Sequence, residues 1–128
     1  MRVKSALTIA TFAAVAALAG PALAEGDAAA GEKVFNKCKA CHTTEAGKNK
    51  VGPSLAGIIG RKPGTVEGFK YSSAMQEFGS SHVWDEATLA SYLEAPKKVV
   101  EGGKMAFVGL KKPDERDNVI AYLKQFSE

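Results

Sequence analysis

The stretch KCKACHT, Lys37–Thr43, decides how the rest of the sequence is interpreted. It contains the only two cysteines of the chain, Cys38 and Cys41, and one of its two histidines, His42, directly after the second cysteine. Cysteines at this spacing serve in redox disulfides, in structural disulfides, in zinc sites and in haem attachment. Each use requires a different setting, so the surrounding sequence discriminates among them.

Three of these uses find little support around the cysteines, and we keep them as alternatives. A thioredoxin-like redox pair requires a βαβ unit, and no such pattern is present. Zinc usually takes four ligands, so Cys38, Cys41 and His42 would need the distant His82. A disulfide across two intervening residues would restrict almost no chain entropy and would stabilise the fold little.

Haem attachment is the use that the pattern favours. On a helical turn, C-x-x-C brings two thiols to the two vinyl groups on one edge of the ring, and the following histidine points back toward the iron. An imidazole nitrogen is a good axial ligand. We therefore predict one haem c per chain, attached covalently through Cys38 and Cys41, with His42 as an iron ligand.

The first 24 of the 128 residues have the composition of a secretory signal peptide. MRVK gives a positive start, ALTIATFAAVAALAG is apolar, and PALA ends in small residues. The alternative is an uncleaved membrane anchor, but the apolar run is short for a membrane span. We predict a signal peptide over residues 1–24, one domain over residues 25–128, and a periplasmic location, where bacteria attach haem covalently.

The net charge gives no support to nucleic-acid binding. The chain has 17 basic and 14 acidic side chains, a formal net charge of +3. Removal of the leader takes away Arg2 and Lys4 and no acidic residue, which lowers the net charge to +1. Binding through charge would therefore depend on how the charges are distributed in space.

Helix caps and apolar periodicity predict an all-α domain with three main helices. The first follows Asp27, the second starts at Asp85 and stops at Pro96, and the third begins at Pro113. A further helical turn is expected around Ser73–Phe78.

A long glycine- and proline-rich segment, residues 47–73, separates the first two main helices. Its breakers exclude a long helix, and its glycines form neither a dinucleotide-binding nor a P-loop pattern. Loops of this length usually need something to wrap around, and a flat apolar ring would supply it.

Several segments, in the same order, resemble the class I cytochromes c, and most closely the bacterial cytochrome c2 group, which is similar to mitochondrial cytochrome c. They are GEKVFNKCKACHT, VGPSLAGIIGRKPG, GFKYS, WDEATLASYLEAPKK, GGKMAFVGLKK and VIAYLK. The resemblance covers essentially all of residues 25–128. It implies the small cytochrome c fold, with long loops wrapped around one covalently bound haem, and an electron carrier rather than an enzyme.

The resemblance also implies the second iron ligand. Met105, in GGKMAFVG, matches the position of the family's axial methionine, and the preceding Gly102 and Gly103 allow the backbone close to a flat ring. Met75, as packing near the haem, and His82, as a surface histidine, are the other candidates. A His/Met pair raises the reduction potential and leaves no axial position open for a substrate.

Three further residues are implied to support the ligands. The carbonyl of Pro53 is expected to accept a hydrogen bond from His42 and so to fix its ring. Tyr92 matches the residue that reaches toward the methionine sulfur, with an ordinary core aromatic as the alternative. Phe107 matches the ring that flanks the haem edge.

Arg61, Tyr71 and Trp84 match the family residues that hydrogen-bond or compensate a buried haem propionate. The alternatives are a surface charge for Arg61 and an ordinary core aromatic for Trp84. Gly31 and Tyr122 resemble the contact at which the first and last helices cross.

The function implied is a soluble one-electron shuttle between a bc1-type complex and a photosynthetic reaction centre, an oxidase or a reductase. Such a carrier is expected to be a monomer that meets the membrane only through its partner complexes. The alternative is a haem enzyme or gas sensor, for example a peroxidase-like protein, with an open or labile sixth iron position. No distal acid–base pair is evident near Met105 to support that alternative.

Lysines near the haem-bearing motifs are expected to form a docking surface for acidic redox partners, with ordinary solvated lysines as the alternative. Acidic residues are expected to lie elsewhere, notably at Asp114, Glu115 and Asp117. The lysines are Lys37, Lys39, Lys48, Lys50, Lys97, Lys98, Lys104, Lys111 and Lys112.

Overall fold

The computed structural model describes residues 25–126, so the predicted signal peptide lies outside the described residues. Over this range the chain forms helices joined by long loops and contains no strand, which confirms the all-α class. No helix in this range has the length and apolar character needed to cross a membrane. The helices are α1, Ala28–Phe35, α2, Ser73–Ser81, α3, Glu86–Glu94, α4, Pro96–Val99, and α5, Pro113–Leu123.

The starts of the three main helices agree with the sequence. The Asp27 carboxylate accepts hydrogen bonds from two amides of the first turn of α1, at 2.8 and 3.1 Å. The Asp85 carboxylate accepts from the Thr88 amide at 2.7 Å, and this bond lowers the pKa of Asp85. α5 begins at Pro113, which has no amide hydrogen to leave unpaired at a first helical position.

Two helical segments differ from the sequence-based expectation. α2 continues beyond the expected turn at Ser73–Phe78 and includes Gly79, which lies directly against the backbone of Pro63, where a Cβ atom would overlap the carbonyl. Pro96 lies just beyond the end of α3, as predicted, but it also begins the short helix α4. The same fixed φ that stops one helix suits the first position of another.

The predicted crossing of the first and last helices is confirmed. Gly31 of α1 lies so close to α5 that a Cβ atom would overlap the Asn118 carbonyl and approach Tyr122 Cβ to 2.8 Å. The rings of Phe35 and Tyr122 pack beside this contact with centroids 5.3 Å apart. The buried core that extends from it comprises Phe35, Ile58, Trp84, Leu89, Tyr92, Val100, Leu110, Val119, Ile120 and Leu123.

We predict that Gly31→Ala lowers the free energy of unfolding by about 2–3 kcal/mol, because the new methyl group forces α1 away from α5. Guanidinium unfolding of the haem-loaded protein measures this loss. Gly47→Ala is the matched control, since Gly47 has φ 75° and open space around it. The control should lose about 1 kcal/mol from its left-handed backbone alone. Equal losses in both variants would contradict the close contact between the helices.

Candidate haem site

The two cysteines lie on one helical turn that directly follows α1. The amides of Cys41 and His42 donate to the carbonyl of Cys38, at 3.1 and 2.9 Å. Both thiols are free and half-buried, and burial raises the pKa of the Cys38 thiol. The turn therefore presents two adjacent thiols and an imidazole from five consecutive residues, as covalent haem attachment requires.

The structure does not support the zinc alternative, which requires His82 as a fourth ligand. His82 lies at the C-terminal end of α2, where its ring stacks on Phe78. Between residues 25 and 126, no three His, Cys, Asp or Glu side chains come together as a metal site.

The ring of His42 is held in one orientation by the loop that follows it. Its Nδ1 lies 2.7 Å from the carbonyl oxygen of Pro53. Because a carbonyl oxygen only accepts, Nδ1 carries the proton and Nε2 keeps its lone pair for a metal ion. Burial lowers the pKa of His42, which favours the neutral imidazole that binds metals.

Gly52 is a site residue that the sequence analysis treated only as a loop breaker. A Cβ atom at this position would overlap the His42 ring, 2.7 Å from Nδ1 and 2.8 Å from Nε2. The Gly52 amide also donates to the Cys41 carbonyl at 2.8 Å, which ties the loop to the cysteine turn. Its position directly before Pro53 was the available signal, but a sequence does not show how closely a loop approaches a ring.

Met105 lies near His42 in the long loop that precedes α5. The Tyr92 hydroxyl donates to Met105 Sδ at 3.9 Å. Burial raises the pKa of Tyr92 to about 12, so the hydroxyl keeps its proton and remains a donor at neutral pH. Met75 of α2 is also half-buried against the core, but no hydrogen bond to its sulfur is present in the described part of the chain.

The protein alone leaves apolar surface beside its core partly uncovered. A group of apolar side chains packs against the core while remaining partly exposed in the protein alone, which is the kind of surface that such a ring would bury. With two thiols on one edge and a free imidazole nitrogen, these residues fit haem. The group includes Val34, Cys38, Leu55, Ile59, Ala74, Met75, Leu93, Val99, Met105 and Phe107.

Arg61 and Trp84, two of the predicted propionate residues, are joined through their backbones. The Trp84 amide donates to the Arg61 carbonyl at 2.9 Å, and the Gly60 amide donates to the Trp84 carbonyl at 2.8 Å. The Arg61 guanidinium donates to the carbonyls of Ala56 and Ser54, at 2.9 and 3.1 Å. Arg61 is thus integrated into the loop structure and is more than a surface charge.

Tyr71 lies close enough for the Arg61 charge to act on its hydroxyl. Burial raises the pKa of Tyr71, and the bond from the Val66 amide and the Arg61 charge oppose that effect. Trp84 is buried and packs on Tyr92 with ring centroids 4.9 Å apart, so both aromatics belong to the core. A propionate contact for Arg61, Tyr71 and Trp84 stays a prediction.

Four of the predicted docking lysines have partners within the chain. The expectation that the acidic residues lie apart from them is wrong at Glu115, which α5 brings beside the cysteine turn. The contacts are Lys37 Nζ to Glu115 at 3.2 Å, Lys48 Nζ to Glu45 at 3.1 Å, Lys50 Nζ to the Lys39 carbonyl at 2.7 Å, and Lys111 Nζ to the Glu94 carbonyl at 2.6 Å.

Lys97, Lys98 and Lys111 line a shallow pocket of about 510 Å³ together with apolar residues of the Met105 loop. Phe107 forms part of the pocket wall, and Val108 beside it is 85% exposed. This surface, which we call the lysine–valine pocket, combines positive charge with an exposed apolar centre. Such a combination suits brief contacts with an acidic protein surface.

Comparison with known proteins agrees with this geometry. The family described as "Cytochrome c" matches residues 28–127. Cytochrome c-554 of Methylosinus trichosporium is 50% identical over 127 residues, which cover 98% of this chain and 95% of the relative. Cytochrome c2 iso-2 of Magnetospirillum molischianum is 57% identical over 98 residues, which cover 77% of this chain and 96% of the relative.

Among solved structures, cytochrome c2 from Rhodospirillum centenum superposes with a TM-score of 0.76 and 39% sequence identity, over 80% of this chain and 100% of that chain. The identity is high enough to extend the likeness beyond the fold. The chain belongs to the cytochrome c family, close to the bacterial cytochromes c2, and is an electron carrier rather than an enzyme, with haem c bound covalently at Cys38 and Cys41.

Proposed function

We propose that this cytochrome carries single electrons through an iron bound by His42 on one side and Met105 on the other. The observation that supports this most strongly is that hydrogen bonds orient both side chains in a way that suits metal binding. Pro53 holds His42 with Nε2 unprotonated, and Tyr92 donates to the Met105 sulfur. A bound haem would supply a reversible one-electron change, and with His42 and Met105 both on its iron no position would remain for substrates or oxygen.

The two ligands and the residues around them are expected to set the reduction potential of the haem. The soft thioether of Met105 favours the reduced form and so raises the reduction potential. The hydrogen bond from His42 to Pro53 raises the basicity of the imidazole and favours the oxidised form. Arg61 and Tyr71 would offset a propionate charge at the loop edge, which keeps that charge from stabilising the oxidised iron.

The lysine–valine pocket is the proposed contact surface for redox partners in the periplasm. A partner with an acidic surface would be steered by Lys97 and Lys98 and would meet Phe107 and Val108 at the centre. We propose a bc1-type complex as the donor and a reaction centre, an oxidase or a reductase as the acceptor, served by a monomeric carrier. The likeness to proteins named cytochrome c2 supports this assignment.

We predict that Met105→Ala abolishes the far-red sulfur-to-iron absorption band of the ferric protein and lowers the reduction potential by on the order of 0.1 V or more, because the thioether ligand is lost. Visible spectroscopy and redox titration measure both effects. Met75→Ala, which removes the other methionine of the domain, should keep the band.

Two results would contradict the ligand assignment. Retention of the band in Met105→Ala, or its loss in Met75→Ala, would move the ligand away from Met105. Rapid carbon monoxide binding by the ferrous wild type would favour the haem enzyme or gas sensor, because a filled sixth position has to be vacated first.

We predict that Lys97→Glu slows electron transfer with an acidic partner about three- to tenfold at low ionic strength, because it reverses a charge at the docking surface. Second-order rate constants with a purified bc1-type complex, measured across ionic strengths, test this. Lys33→Glu on α1 is the matched control, since it makes the same charge change away from the pocket lining. Equal slowing in both variants, or rates independent of salt, would rule out docking at this pocket.

A further inference from the structure

Four aromatic rings form a continuous column from the surface to the Met105 sulfur. His82 stacks on Phe78, with centroids 3.9 Å apart and planes 10° from parallel. Phe78 packs on Trp84 at 5.5 Å, and Trp84 packs on Tyr92 at 4.9 Å. The last ring donates its hydroxyl to Met105 Sδ at 3.9 Å. The column therefore connects an exposed histidine to the proposed iron ligand.

We propose that His82 is a positioning residue for Met105, acting through Phe78, Trp84 and Tyr92. The proposal rests on the proposed function, because it concerns the methionine-bound iron. The His82 ring covers the outer face of Phe78 and restricts the ring beneath it. Because Phe78 packs on Trp84 and Trp84 packs on Tyr92, limiting the motion of Phe78 also limits the motion of Tyr92. The Tyr92 hydroxyl therefore stays directed at the Met105 sulfur.

The local backbone explains why a ring is held at this place. His82 is the C-cap of α2, and its Nδ1–H donates to the Phe78 carbonyl at 2.9 Å, one turn earlier in the helix. This bond fixes the imidazole directly over the side chain of the residue whose carbonyl it binds. The final turn of α2 is in turn seated against the Pro63 backbone at Gly79, so it has little freedom to carry the ring away.

The inner rings are well placed to transmit a displacement. Trp84 and Tyr92 are 5% and 7% exposed, so neither can move without disturbing packed neighbours. Phe78 is only half-buried, and His82 covers it from the solvent side. The stacking contact between His82 and Phe78 is thus the one at which the rings of the column can most easily move apart.

Binding of added imidazole to the ferric, haem-loaded protein measures how easily Met105 leaves the iron, because imidazole competes for that position. We expect His82→Ala to raise the affinity for imidazole about three- to tenfold, the range for losing one aromatic contact. The sulfur-to-iron band should weaken with temperature earlier than in the wild type.

Two substitutions separate the ring from its hydrogen bond. His82→Phe keeps a ring over Phe78 and should bind imidazole within about twofold of the wild type. His82→Asn can still donate to the Phe78 carbonyl but has no ring, and it should behave like His82→Ala. The reverse order would assign His82 a helix-capping role only and overturn the proposal.

Ser80→Ala is the matched control. Ser80 is also exposed and also bonds a carbonyl of α2, from its Oγ to Glu77 at 2.6 Å, but it is not part of the column. Its imidazole affinity should equal that of the wild type. An equal rise in Ser80→Ala, or no rise in His82→Ala, would overturn the proposal. Absence of the sulfur-to-iron band in the wild type itself would contradict the proposed methionine ligation, which is a different result from an unchanged imidazole affinity in His82→Ala.

Discussion

The hydrogen bond from Nδ1 of His42 to the Pro53 carbonyl is the contact on which the orientation of the iron site depends. The cysteine turn brings the imidazole into position, and this bond fixes its rotation and assigns the proton to Nδ1, which leaves Nε2 for the proposed bond to iron. Gly52 makes the bond possible, because any side chain there would push the loop off the ring. The loop is closed further by Ser54, whose Oγ donates to the Glu45 carbonyl at 2.6 Å.

The two sides of the site are supported in different ways. On the His42 side, the support comes from backbone groups within one short stretch of chain, and from a glycine that allows close approach. On the Met105 side, the support comes from side chains: Tyr92 on α3 and the aromatic rings packed behind it. Backbone contacts in a closed loop change little as side chains fluctuate, whereas a column of rings depends on each ring in turn. Of the two proposed ligands, Met105 is therefore the one whose position depends more on side-chain packing.

Local features explain what the sequence could predict. The cap residues Asp27 and Asp85 start their helices because a carboxylate can accept amide bonds within a few residues, and C-x-x-C-H defines its chemistry within one turn. The close contact between Gly79 of α2 and Pro63 was missed because the two residues are distant in sequence. The ion pair between Lys37 and Glu115 was missed for the same reason.

Resemblance to a family supplied what local patterns could not. Apart from the glycines before Met105, nothing in the spacing of residues distinguishes Met105 from Met75, since either could reach a ring that the loops surround. The contribution of the structure is the Tyr92 hydroxyl on the Met105 sulfur and the placement of His82 on Phe78. The first arises from packing between segments that are separate in the chain, and the second from the way α2 ends at His82.

Residue-specific proton NMR of the ferrous protein, with methionine methyl groups isotopically labelled, tests the central claim most directly. A methyl group bound through its sulfur to the iron lies over the haem face, where the ring current shifts its resonance far upfield. We expect one strongly shifted methyl resonance, assigned to Met105, and an ordinary or weakly shifted one from Met75. Two unshifted resonances, or a strongly shifted resonance assigned to Met75, would contradict an iron held between His42 and Met105.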